Sequence, residues 1–123
     1  MKYKILPAVF AAGAFLLYLA GCSKHNAVEL GGGGCDTANV SYSKQVVNIL
    51  EDNCYQCHKG AGASSGIDFS NYDAFKGWAG TDYVIGDLTA APGFTPMPYG
   101  LPSLSRCDIN TIAAWIHQGR QNN

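Results

Sequence analysis

Apolar residues are distributed along this chain in three regimes. Residues 5–19 form a nearly continuous apolar run, broken by Pro7 and Gly13. Residues 23–34 are mostly polar and end in four glycines. Beyond Gly34, apolar residues recur at helical intervals. Val46, Val47, Ile49 and Leu50 share one face of a helix predicted over residues 44–53, with Ser43 as its cap. Ser70 can cap a second, short helix over residues 71–78, where Tyr72, Phe75 and Trp78 fall at helical spacing and Gly77 and Gly80 limit extension. Residues 82–88 carry an ambiguous pattern and read as another short helix. Ser105-Arg106-Cys107-Asp108 resembles a capping box with Asp in place of Glu. Ile109, Ile112, Ala113 and Ile116 then recur on one face until Gly119 stops the helix. Between these elements, residues 59–65 are rich in Gly, Ala and Ser, and residues 91–102 hold four prolines and two glycines; both read as irregular. No period-two run of strand type and no internal repeat is visible. The expected fold class is all-α.

The densest chemistry lies at the end of the first predicted helix, in Cys54-Tyr55-Gln56-Cys57-His58. C-x-x-C-H is the attachment pattern of a c-type haem. Residues three apart sit about one helical turn apart on one face, so two thiols can add across the vinyl groups of one porphyrin edge. The adjacent His58 can then turn its imidazole under the iron as the proximal ligand. A thioredoxin-like pair needs a preceding strand and a βαβ pattern, and the sequence has neither.

Lys2 and Lys4 precede the apolar run, and Leu19-Ala20-Gly21-Cys22 follows it. That tripartite pattern is a secretory signal. An uncleaved anchor helix, which needs about 20 apolar residues, is the alternative. The small residues before Cys22 resemble the lipobox of bacterial lipoproteins. The resemblance implies cleavage before Cys22, diacylglycerol on its sulfur and a third acyl chain on its new amine. Residues 1–21 would be the signal peptide, 22–34 an acylated flexible tether, and 35–121 the folded domain. A dozen Gly-rich residues give the tether an r.m.s. reach of about 20 Å.

Charge narrows the partners. Without Lys2 and Lys4 the chain keeps six Lys/Arg against nine Asp/Glu, a formal charge of −3. Nucleic acid is therefore not an expected partner. A polybasic patch is absent too, so the membrane must be reached through lipid at Cys22. Three acyl chains exceed the two anchors that stable residence requires.

The cysteines then sort themselves. Cys22 goes to lipid, Cys54 and Cys57 go to haem, and Cys35 and Cys107 remain. An exported chain meets an oxidising compartment, so these two are expected to pair, with two free buried thiols as the alternative. Their bond would close a loop of 72 residues, worth roughly 4 kcal/mol in the chain-entropy model. A four-cysteine zinc site is a further alternative, but it leaves His58 unexplained.

The order of helix, haem motif, loops with small helices, proline-rich loop and terminal helix resembles class I c-type cytochromes, over about residues 36–119. The resemblance implies a small fold whose first and last helices cross beside the haem, with an aromatic of the last helix at the crossing. Trp115 would be that aromatic. Gly66-Ile67-Asp68-Phe69-Ser70 resembles the segment that follows the haem motif in planctomycete-type cytochrome domains. In the class I family the distal iron ligand is a methionine on a loop several tens of residues downstream, often beside proline. Met97, in Pro96-Met97-Pro98-Tyr99-Gly100, lies 39 residues after His58 and is the only methionine besides Met1. Prolines restrict such a loop, so less entropy is lost when the weak thioether binds. His25 in the tether and His117 near the end of the last helix are competing ligands. A Met97 packed on haem without ligation is the other alternative.

The expected function follows. The chain reads as a lipid-anchored monohaem c-type cytochrome with one covalent haem c. It would pass single electrons between a redox-protein donor and acceptor, without enzymatic activity or a small-molecule substrate. A haem-based sensor or redox subunit with a labile sixth ligand is one alternative, and a small non-haem structural lipoprotein is another. Export implies a bacterial membrane, facing the periplasm or the cell surface. Ser23 is not the inner-membrane retention aspartate of the enterobacterial kind, which favours the outer membrane. Lys59 and Lys76 read as a solvated or partner-docking surface, and Glu51-Asp52 as a solvated face.

Overall fold

A computed structural model describes residues 35–123. The expected signal peptide (1–21) and the tether (22–34), with Cys22 and His25, lie outside the described residues. Four α-helices follow in order: α1 (Val47–Asn53), α2 (Tyr72–Ala79), α3 (Tyr83–Leu88) and α4 (Arg106–His117). There is no strand among the described residues, so this part of the chain is all-α. None of its helices is long and apolar enough to cross a membrane.

A π-helical turn, Tyr42–Val46, opens the first helix. Its cap is Ser41, not the expected Ser43. Ser41 has the extended backbone a cap needs, and its hydroxyl accepts from the Lys44 N–H at 3.4 Å. Gln45 Oε1 reaches back to accept from the Ser41 N–H at 2.8 Å, a reciprocal arrangement like that of a capping box. Ser43 sits inside the turn, where its N–H and hydroxyl donate to the main-chain oxygen of Asn123 at 2.9 and 2.8 Å. Asn123 Oδ1 also accepts from the Tyr42 N–H at 2.8 Å. Amides that a helix start cannot satisfy internally are thus met by a residue 80 positions downstream.

α2 starts one residue later than expected. Asn71 is extended and accepts from the Ala74 N–H at 2.9 Å, while the Ser70 N–H is already engaged by Asp68. α4 starts where the sequence indicates. Ser105 Oγ accepts from the Asp108 N–H at 3.1 Å and donates to the Asp108 carboxylate at 2.7 Å. Residues 91–102 are irregular, and the 59–65 region folds into two 3₁₀ turns, Gly60–Gly62 and Ser64–Gly66.

Val46, Leu50, Phe75, Ile112 and Trp115 are the largest fully buried side chains. They come from the π turn, α1, α2 and α4, so the helix that carries the C-x-x-C-H run shares one core with the last helix. α4 lies against the π turn. The Trp115 ring stacks on Phe75 with centroids 5.5 Å apart and planes 14° apart, and it lies 5.3 Å from the Tyr42 ring. Trp115 therefore sits where the last helix meets the first. Its indole N–H donates to the Gln121 carbonyl at 2.9 Å, which removes the cost of burying it. Cys35 and Cys107 form the expected disulfide, with Cα atoms 5.5 Å apart. It fastens the approach to the first helix onto the first turn of α4.

Candidate haem-attachment site

The turns of α1 continue into the C-x-x-C-H run. The Cys54 N–H donates to the Leu50 carbonyl at 2.8 Å, and the His58 N–H donates to the Cys54 carbonyl at 2.8 Å. Cys54 and Cys57 therefore stand one turn apart, and both are unpaired thiols. Cys57 is exposed. Cys54 is half-buried, and burial pushes its thiol pKa up to about 11, so it stays protonated at neutral pH.

His58 Nδ1 lies 3.0 Å from the Ile67 carbonyl oxygen. A carbonyl can only accept, so the ring nitrogen must donate. That fixes the tautomer with hydrogen on Nδ1 and leaves the Nε2 lone pair free for a metal. The ring also packs 5.1 Å from Phe69. Phe69 meets Phe75 edge-on at 5.2 Å, and Phe75 stacks on Trp115. A column of aromatic rings thus connects His58 with the place where α4 lies against the π turn. Two free thiols in one turn, followed by an imidazole with its second nitrogen available, form the donor set that covalent haem needs.

Met97 is positioned by a different element. Its N–H donates to the Asp87 carbonyl at 3.1 Å, and Thr95 N–H donates to the Asp87 carboxylate at 3.0 Å. Phe94, just upstream, packs against Gly86 of α3 and meets Tyr83 edge-on at 5.8 Å. Met97 is half-buried and its peptide bond to Pro98 is cis. The structure thus gathers Cys54, Cys57 and His58 into one turn and joins Cys35 to Cys107, while Met97 is anchored separately on α3. His117 is exposed in the last turn of α4. Lys59 and Lys76 are exposed, with their ammonium groups 4.7 Å over the Tyr55 ring and 5.2 Å over the Tyr72 ring.

The disulfide takes two of the four sulfurs that a zinc site would need. Among the described residues no three His, Cys, Asp or Glu side chains gather as an ion site. Two contributors are absent from the sequence reading. The Ile67 carbonyl could not be found there, because a main-chain acceptor has no residue signature. Asp87 could not either, since its bonds depend on how the loop folds back. No protein-family model, no curated protein and no solved structure matches this chain.

Proposed function

We propose that this protein is a lipid-anchored monohaem c-type cytochrome that passes single electrons between redox proteins. The observation that carries the reading is the His58 imidazole, oriented by the Ile67 carbonyl and in the same turn as two unpaired thiols. Cys54 and Cys57 would hold the haem through thioethers. His58 Nε2 and Met97 Sδ would be the side-chain atoms that ligate its iron. When bound, haem iron supplies reversible one-electron chemistry, and Met/His ligation raises its potential relative to bis-histidine. Phe69 restricts the imidazole from the side, and the buried Phe75 and Trp115 behind it keep water from that wall. A ring held in this way needs little rearrangement when its ligated metal changes charge. Acylated Cys22 and the 22–34 tether would keep the domain beside an exported membrane face. The charge of the chain after cleavage argues against nucleic acid as a partner.

The test is maturation in an exporting host that attaches haem c. The denatured protein should retain one haem by mass, and a spectrally monitored titration should give one reversible one-electron wave. Complete extraction of haem by acid–acetone would remove the reading. Rapid carbon monoxide binding by the ferrous protein would replace the closed carrier with a sensor or enzyme.

A further inference from the structure

The turn that brings the Ile67 carbonyl to His58 is fastened by one side chain. Asp68 Oδ1 accepts from the Gly60 N–H at 2.9 Å and from the Ser70 N–H at 2.8 Å. The second bond is a local Asx turn. The first is non-local: it ties the turn to a residue two positions beyond His58. Gly60 has φ of +72°, a conformation that favours glycine, and it is this backbone that offers its N–H to Asp68. Main-chain bonds complete the frame. Phe69 N–H donates to the His58 carbonyl at 2.9 Å, and Ser64 N–H donates to the Cys57 carbonyl at 2.8 Å. Ile67, directly before Asp68, is therefore held in one orientation relative to the imidazole.

We propose that Asp68 is the positioning residue for His58, acting through the Ile67 carbonyl to fix the ring's tautomer and orientation. This rests on the haem reading above. The N–H donors at Ser70 and then Gly60 hold the Asp68 carboxyl below the usual carboxylate range, so at neutral pH it is the ionised acceptor that the turn requires. A carbonyl on Nδ1–H makes the imidazole a stronger donor to metal, which favours oxidised iron. Losing that contact should raise the potential.

Asp68→Ala and Asp68→Asn separate the two effects of this side chain. Both remove its charge, but only Ala removes the acceptor. In the haem-loaded protein, Asp68→Ala should shift the ferric/ferrous equilibrium about tenfold further toward ferrous than Asp68→Asn, or about 59 mV for a one-electron couple. Equal shifts in the two variants, or no shift in either, would overturn the proposal. If Asp68→Ala does not mature, the haem-free full chain still decides. There, ring ¹⁵N shifts should report the Nδ1–H tautomer of His58 in wild type and in Asp68→Asn. The Gly60 and Ser70 amides should be protected from exchange. A wild-type His58 of mixed tautomer, or an unprotected Gly60 amide, overturns the positioning role. Wild-type protein without covalent haem but with a fixed tautomer overturns the functional reading alone.

Discussion

The segment that carries His58 and the loop that carries Met97 are built on opposite plans. Residues 54–70 are cross-braced: Asp68 joins Gly60 to Ser70, Ile67 joins His58, and Phe69 continues through Phe75 into the buried Trp115. Residues 89–104 contain no charged side chain and only one buried one, Leu104. That loop is held chiefly by bonds to Asp87 and by Phe94 on Gly86, and it exposes Tyr99 and Leu101. The first segment packs Cys54, Tyr55 and Phe69 against the core, whereas the second reaches it through Leu104 alone. In the proposed haem site, the first would be a fixed wall and the second a wall that can yield.

The contrast can be broken or sharpened by substitution. Trp115→Ala should have the largest effect, about 3–5 kcal/mol of stability in urea unfolding, because it removes the centre of the aromatic column. It should also reduce haem loading. A cost no larger than that of the loop variants below would erase the distinction. Replacing Cys35 and Cys107 together by Ala should cost roughly 2–5 kcal/mol. Their loop encloses both segments, so loading and ligand access should change in parallel. Gly86→Ala acts on the loop alone. A Cβ there collides with the Phe94 ring, and such overpacking costs about 1–3 kcal/mol. Faster carbon monoxide binding with unchanged covalent attachment is the expected signature in that variant. Met97→Ala should cost the haem-free chain about 1 kcal/mol, since the side chain is only half-buried. It should lower the potential, admit carbon monoxide or cyanide, and leave the thioethers intact.

The smallest effect at neutral pH lies at Tyr42. Burial first, and then the neighbouring Tyr55 and Tyr72, push its phenol up to about 12. The folded state therefore keeps this proton more tightly than the unfolded state does. That stabilisation is fully present below pH ~10 and is lost as pH rises toward ~12. Alkaline unfolding in that window should flatten in Tyr42→Phe, while the Met97→Ala profile keeps the wild-type slope.

Local physics was legible in the sequence, and long-range closure was not. Ser105 announces α4 because a cap and its Asp partner lie three residues apart. Ser43 and Ser70 misled by one or two positions. In each case a neighbouring residue of equal capping chemistry, Ser41 or Asn71, had the extended backbone that capping requires. The pairing of Cys35 with Cys107 followed from which cysteines already had other uses. At the candidate site, the C-x-x-C-H run and Met97 stand out by residue type. Asp68 entered the sequence reading only as part of Gly66-Ile67-Asp68-Phe69-Ser70, without a role of its own. Its bond to Gly60 could not be read there, because nothing in the chain marks which distant N–H will arrive. The hold of Asp87 on the Met97 loop was hidden for the same reason.

Asn123 bears on the order in which the molecule assembles. Its carbonyl and side chain bond to Ser41, Tyr42, Ser43 and Val40 across separations of 80 to 83 residues. Contacts this far apart in sequence form late, because the intervening chain must be ordered before they return any free energy. A polypeptide delivered from its N-terminus therefore displays residues 54–58 before Asn123 can satisfy the Tyr42 and Ser43 N–H groups at the start of their own helix. During that interval the two thiols and the imidazole are open to whatever modifies them. Once Asn123 arrives, the same contacts tie the two ends of the domain together.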